Sequence, residues 1–226
     1  MWVKICANTN VEDAALAIEL GADAVGFVFA KSKRQVTVSQ VAAITRALPD
    51  SVERIGVFDS GDASEIAAAV SEGGLSAAQL HRGYDEALVA RLSQLLGKTV
   101  EIIPTLHWTV NSADPTSAQG ISAELERIAH ARIARRVLVD SKVHGVSGGT
   151  GVRFDWAAAR QVFSAVPKGL ELILAGGLNA ANVAEAIREL NPAGVDVASG
   201  VEASAGKKDP AQLEGFIRAA RRTVTP

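Results

Sequence analysis

One pattern constrains this chain more than any other. A short apolar, β-branched run is followed by an amphipathic segment of helical period, and the pair recurs from end to end. Strands read as Val3 to Cys6, Ala24 to Phe29, Arg54 to Phe58, Ala78 to His81, Val100 to Thr105, Arg136 to Asp140, Glu171 to Leu174 and Val195 to Ala198. Helical patterns fall near Val11 to Leu20, Ser39 to Leu48, Ala63 to Val70, Tyr84 to Leu96, Ser122 to Ile133, Trp156 to Val166, Ala180 to Leu190 and Pro210 to Arg222. Strands this apolar and non-alternating suit a parallel sheet covered by helices. Eight such units favour closure into a (βα)8 barrel, with an open doubly wound sheet as the alternative should one strand be miscounted.

Punctuation agrees with this division. Helix starts are expected at Asn10, with Asp13 three residues on, at Ser39, at Asn179 before Ala180, and at Asp209 before Pro210. Gly21 closes the first helix, as a residue tolerant of positive φ should. The stretch from Asn111 to Gly120 reads as the one long irregular loop, and Trp156 is expected to open a helix facing the core. At 226 residues, a single barrel domain over 1–226 accounts for the whole sequence.

Composition excludes several function classes. Net charge is −2, and basic residues are scattered apart from Arg135-Arg136 and Arg221-Arg222, so no stripe tracks a phosphodiester backbone and no nucleic-acid partner is expected. No run approaches the roughly 18 apolar residues of a membrane span, and the early turn to Asn8-Thr9-Asn10 lacks the apolar stretch of a signal peptide. A lone Cys fits a reducing cytoplasm. The four His, at 81, 107, 130 and 144, show no paired metal spacing, so no metal or cofactor is expected.

Chemistry is sought where such barrels carry it, at the carboxyl ends of the strands. Cys6 ends the first strand and Asp140 the sixth, which places a thiol and a carboxyl on one rim. A thiol of reference pKa about 8.5 becomes a base where local charge lowers that value, although a lone strand Cys is more often a buried hydrophobe. Asp140 could simply pair with Lys142. Next to Gly145-Val146-Ser147-Gly148-Gly149-Thr150-Gly151, it could instead be desolvated on loop closure, its pKa rising to suit a general acid. Two glycine turns, Ala175-Gly176-Gly177-Leu178-Asn179 and Ser199-Gly200-Val201-Glu202, follow strands seven and eight, where phosphate sites of this barrel class are frequently built. Gly176, Gly177, Ser199 and Gly200 are the candidate phosphate contacts. Arg34 could clamp a carboxylate or be a solvated loop residue, His81 suits a polar rim, and Asp196 within an apolar strand needs a partner or a substrate hydroxyl.

These blocks, in this order, resemble the phosphoribosylanthranilate isomerase family along almost the whole chain. The resemblance rests on Val3-Lys4-Ile5-Cys6, Gly21 through Phe29, Ser32-Lys33-Arg34, Gly56-Val57-Phe58, Gln79-Leu80-His81, Gly148-Gly149-Thr150-Gly151 with Phe154-Asp155-Trp156, Ala175 through Asn179, and Asp196 through Glu202 with Gly206-Lys207-Lys208-Asp209. It implies a TIM barrel of the ribulose-phosphate-binding type performing a cofactor-free Amadori rearrangement of a phosphosugar, as monomer or homodimer. By resemblance Cys6 is the general base, Asp140 the general acid, Arg34 the contact for the anthranilate carboxylate, and the last two turns the phosphate site.

Three departures from the family pattern stand out: Ala7 where Gly usually follows the Cys, Arg82 before Gly83 after the strand-four His, and no Lys near Pro104. The segment from Trp108 to Ala134 is also weakly family-like. A histidine-pathway barrel isomerase is the nearest rival, but that family uses Asp on strand one. A phosphate-binding module without turnover is the rival from another class.

Overall fold

The computed structural model describes residues 1–109, 118–142 and 156–222. Eight parallel strands close on themselves in chain order. They are β1 (Trp2–Ile5), β2 (Ala24–Val28), β3 (Glu53–Phe58), β4 (Ala77–Leu80), β5 (Glu101–Thr109), β6 (Arg136–Lys142), β7 (Glu171–Ala175) and β8 (Gly194–Val197), with β8 pairing back onto β1. The helices between and after them are α1 (Val11–Glu19), α2 (Val38–Thr45), α3 (Ala63–Glu72), α4 (Glu86–Leu96), α5 (Ala118–Ala131), α6 (Trp156–Ser164), α7 (Val183–Leu190) and α8 (Pro210–Arg222). Closure decides between the barrel and the open sheet in favour of the barrel.

The helices start where short polar side chains satisfy their first N–H groups. Asn10 Oδ1 accepts from the Asp13 amide at 2.8 Å, and the Asp209 carboxylate accepts from that of Gln212 at 2.9 Å. Two expected starts move. Thr37, not Ser39, caps α2 through a reciprocal capping box with Gln40. Asn179 accepts from the Ala181 amide in a turn, and α7 begins only at Val183. β5 runs four residues beyond its expected end at Thr105, and a small hairpin, β9 (Glu202–Ser204) and β10 (Lys207–Lys208), follows β8. Of the long loop expected from Asn111, Ala118 to Gly120 belong to α5 and the rest lie outside the described residues, as does the Gly145 to Gly151 stretch.

Two apolar clusters divide the interior. The larger fills the space between strands and helices, and includes Trp108 at 2% exposure. The smaller, with Ala24, Ile55, Ala77, Ile103, Leu138 and Ile173, fills the middle of the barrel. Below it, at the amino ends of the strands, the Arg136 guanidinium pairs with Glu53 and Glu101 and lies over the Trp2 ring, 4.7 Å from its centroid. Above it, period-2 alternation turns the next inward side chains toward the mouth.

The turn leaving β1 is under backbone strain. Ala7 has φ of 64°, a conformation that places Cβ against the backbone, and it is held there because Cys6 N–H donates to Val197 O and Asn8 N–H to Gly26 O. Arg82, which stands where the family usually has Gly, has no positive φ; the left-handed conformation is taken by the next residue, Gly83, at φ of 110°, so Arg82 carries no such strain. Relief at position 7 is worth about 1–2 kcal/mol and is partly offset by about 0.8 kcal/mol of lost methyl burial. Ala7→Gly should therefore raise urea-unfolding stability by under about 1 kcal/mol, and Ala7→Val should lower it by about 2 kcal/mol or more. The reverse order would show that the strain is not there.

Candidate active site

The residues that face the mouth come from the carboxyl ends of seven strands or the turns directly after them. Lys4 on β1 and Cys6, one residue past its end, share the inward phase of Trp2. Lys4 is fully buried, and its ammonium donates to Asp196 Oδ1 at 3.0 Å and to Gln79 Oε1 at 2.9 Å, with Gln79 Nε2 donating on to Thr105 Oγ1 at 3.2 Å. Asp196 thus has the partner that its position inside an apolar strand required. Burial is the largest single influence and would lower the Lys4 pKa, but the Asp196 carboxylate and the Cys6 sulfur together outweigh it and hold the ammonium above its ordinary value.

Cys6 is 6% exposed, and its thiol lies beside the Lys4 side chain. Burial pushes the thiol up from its ordinary value, and the nearby Lys4 and Lys208 charges only partly oppose that rise. The expected lowering by local charge is therefore present but is outweighed by desolvation. Gly26 on β2 makes the room for this pair. A Cβ there would stand 2.8 Å from Cys6 Sγ, 2.9 Å from Lys4 Cε and 3.2 Å from Cys6 Cα.

Asp140 lies inside β6, in register with His107 on β5 and Ala175 on β7. Its Oδ2 is 3.7 Å from His107 Nδ1. The other ring nitrogen, His107 Nε2, is 2.5 Å from the carbonyl oxygen of His81, and the two imidazoles meet edge to face at 4.7 Å. His81 sits one residue past β4, half-buried, on the polar rim expected of it. His107 was missed as a site residue because β5 was ended two residues too early to reach it. Its signal is the phase Ile103, Thr105, His107, which repeats the inward phase of β6.

Arg34 is engaged within the protein. Its Nε donates to Glu202 Oε1 at 2.9 Å and Oε2 at 3.0 Å, and its Nη2 to Oε2 at 2.6 Å, a bidentate pair that fixes one edge of the guanidinium. Burial works to raise the Glu202 pKa, but the Arg34 hydrogen bonds and the Lys208 charge hold it below the ordinary carboxylate value. Lys208 Nζ donates to Cys6 O at 2.5 Å and lies 3.4 Å from Glu202 Oε1. Burial pulls its ammonium below the ordinary Lys value, partly opposed by Glu202. Glu202 and Lys208, both unassigned by sequence reading, thus join the β8 hairpin to the strand end that carries Cys6.

The two glycine turns come together. Gly176 and Gly177 have φ of 98° and 62°, so both use the left-handed region. Gly200, in the 3-10 turn Ser199–Val201, has its Cα so close to the β7 turn that a Cβ would sit 1.9 Å from Leu178 O.

Fold and rim together define an enzyme of the (βα)8 class with a buried thiol and a carboxyl at one mouth. Residues 3–219 match the family model of N-(5'-phosphoribosyl)anthranilate (PRA) isomerase. The chain is 38% identical to the N-(5'-phosphoribosyl)anthranilate isomerase of Pelobacter propionicus over 98% of its own length and 96% of the relative's, and 40% identical to that of Bacillus cereus over 95% and 96%. Among solved structures it superposes on phosphoribosyl anthranilate isomerase from Thermotoga maritima with a TM-score of 0.80 and 35% identity, covering 98% of this chain and 99% of that one. A second, with a TM-score of 0.78 and 33% identity over 98% and 99%, is a phosphoribosyl anthranilate isomerase in complex with reduced 1-(o-carboxyphenylamino)-1-deoxyribulose 5-phosphate. The chain belongs to the phosphoribosylanthranilate isomerase family and is an isomerase of tryptophan biosynthesis. No helix among the described residues is long and apolar enough to cross a membrane.

The crowding at Gly26 gives a direct test of how tightly the thiol is placed. Gly26→Ala should displace Cys6 Sγ and lower kcat about 10²-fold with KM little changed, at a stability cost of about 1–3 kcal/mol. Full turnover in a folded Gly26→Ala protein would mean that the thiol position does not matter.

Proposed function

We propose that this chain catalyses the cofactor-free Amadori rearrangement of N-(5-phosphoribosyl)anthranilate to 1-(2-carboxyphenylamino)-1-deoxyribulose 5-phosphate, with Asp140 as general acid and Cys6 as general base. The observation that carries the reading is the pair itself. Both residues stand at the mouth, three strands apart around the closed barrel, with the thiol desolvated beside an ammonium. The related structure in complex with the reduced deoxyribulose phosphate supports the substrate class.

Asp140 gives its proton to the ribose ring oxygen as the C1–O bond breaks, and the anilino nitrogen lone pair completes an iminium at C1. The Cys6 thiolate then takes the C2 proton, and the electrons of that C–H bond form C1=C2 of an enolamine. Protonation at C1 as the C2 hydroxyl gives up its proton leaves the ketone. Each proton transfer by a positioned group contributes about 10²–10⁴-fold. The positive iminium adjoining the thiolate favours ionisation of Cys6 in the complex, against the desolvation that disfavours it in the free protein.

Arg34, oriented along one edge by Glu202, presents its remaining N–H groups to the anthranilate carboxylate. The β7 and β8 turns, through Gly176, Gly177, Ser199 and Gly200, take the phosphate, whose remote binding energy orients the sugar. His81 lines the rim toward the substrate, and Asp196 reaches it from the Lys4 network. One barrel domain over 1–226, acting on a phosphosugar in the cytoplasm as monomer or homodimer, completes the reading; the free thiol supports that compartment.

Turnover of phosphoribosylanthranilate generated in situ, followed by its fluorescence, tests the assignment. Wild type should turn over, and Cys6→Ala and Asp140→Asn should each lose about 10²-fold or more in kcat while remaining folded. No turnover by folded wild type would reject the substrate.

The pH profile tests the base separately. The active form needs Asp140 protonated and Cys6 ionised together, so the base is read in Asp140→Asn, whose side chain has no proton to lose: its residual kcat/KM should rise about tenfold per pH unit below the raised Cys6 pKa. A residual kcat/KM that is flat across that range in Asp140→Asn would remove the thiolate from the rate-determining step.

A further inference from the structure

Three strand ends that are far apart in sequence place two imidazoles and a carboxylate at one point on the rim. One ligand atom from each of His81, His107 and Asp140 lies within 4.8 Å of the other two. We infer that this triad is a binding site for a transition-metal dication of the Zn²⁺ class, and that the bound ion holds the enzyme inactive. The inhibitory half rests on the assignment of Asp140 as general acid; the binding half does not.

Geometry comes first. Three atoms no more than 4.8 Å apart share a point about 2.8 Å or less from each, and Zn–N and Zn–O bonds are about 2.0–2.2 Å long. Each ligand must therefore close by under about 0.8 Å, within reach of small χ rotations at half-buried rim positions. Two imidazoles and one carboxylate, with a fourth position open to water, form a donor set that zinc accepts in tetrahedral geometry.

The outer support is also in place. A metal-binding imidazole usually donates its second N–H to a backbone carbonyl, which fixes the tautomer and turns the lone pair toward the ion. His107 has this arrangement: Nε2 is 2.5 Å from His81 O, and Nδ1 is turned toward Asp140. Nδ1 itself is buried and has no hydrogen-bond partner among the described residues. Register explains why the chain shows no ligand spacing. His107 and Asp140 are opposite each other on neighbouring strands, and His81 is brought to His107 across the next pair.

The consequence follows from the carboxylate. An Asp140 oxygen bound to a dication has neither the proton nor the lone pair needed to open the ribose ring. Occupancy would stop turnover, and a chelator would restore it.

Binding is tested on the full chain with Co²⁺, followed by its visible absorption, and with Zn²⁺ in competition with a fluorescent chelator. Wild type should take up one ion, with a tetrahedral cobalt spectrum. His107→Ala and Asp140→Asn should each weaken the affinity at least tenfold. Asp140→Asn keeps the side-chain volume, so it serves if His107→Ala fails to fold. Cys6→Ser should bind as wild type does. Zinc affinity unchanged in both ligand variants, or lost in Cys6→Ser because the thiol is the real ligand, would overturn the site. The activity arm adds Zn²⁺ and then chelator to metal-free wild type turning over phosphoribosylanthranilate. Loss and recovery of turnover are expected. A saturated site with undiminished turnover would overturn the inhibitory role, whereas absence of turnover before any metal is added would fault the substrate assignment and leave the binding result standing.

Discussion

The buried ammonium of Lys4 is the interaction on which the rest of the active end depends. A charge fully removed from water is tolerable only when paired and hydrogen-bonded, and this one has a carboxylate from β8, an amide oxygen from β4 and a thiol from its own strand around it. Removing one partner of such a pair costs about 3–5 kcal/mol, so the network is a constraint on what β1, β4 and β8 can carry. It also sets the chemistry one step above. Cys6 is close enough to feel the Lys4 charge, yet so desolvated that its pKa is pushed above the ordinary thiol value. In the reaction proposed above, such a thiol is matched to the cationic intermediate and not to the resting state.

A second set of charges holds the strand end itself. Lys208 binds the Cys6 carbonyl and approaches Glu202, and Glu202 grips Arg34, so one chain of polar contacts runs from Cys6 through the β8 hairpin to the loop after β2. Ala7 is held against its steric preference within this frame. Its strain persists because amides on both sides, those of Cys6 and Asn8, are bonded to neighbouring strands, and these bonds over-determine the turn.

Much of the fold was legible because period and burial agree. Apolar runs that ignore alternation announced strands covered on both sides, and eight of them announced closure. Helix starts were less legible. Ser39 and Asn179 are good capping residues, but a capping box at Thr37 and an Asn179 turn that precedes α7 decided the boundaries, and both depend on where the preceding strand delivers the chain. Cys6 and Asp140 could be found because each ends an apolar run. Lys4, Glu202 and Lys208 could not be given roles, because a charged residue in a sequence looks solvated until its partner, 192 residues away for Lys4, is known. His107 and the metal-type triad were hidden for the same reason. Spacing along a chain reveals ligands on one helix or hairpin and is silent about side chains that meet only when strands pair.

The interior is layered, and the layering separates stability from chemistry. Arg136 with Glu53, Glu101 and Trp2 closes the amino end, aliphatic side chains fill the middle, and the Lys4 network lies above them. Arg136 and Asp140 are on one strand four residues apart, a rise of about 13 Å. At that distance the attraction between unit charges is small beside the contacts each makes locally, even before screening. The ion cluster at the bottom can therefore be exchanged for other packing without retuning Asp140 or Cys6. The top layer has no such freedom, because there the groups that balance the buried charge are the same groups that place the thiol.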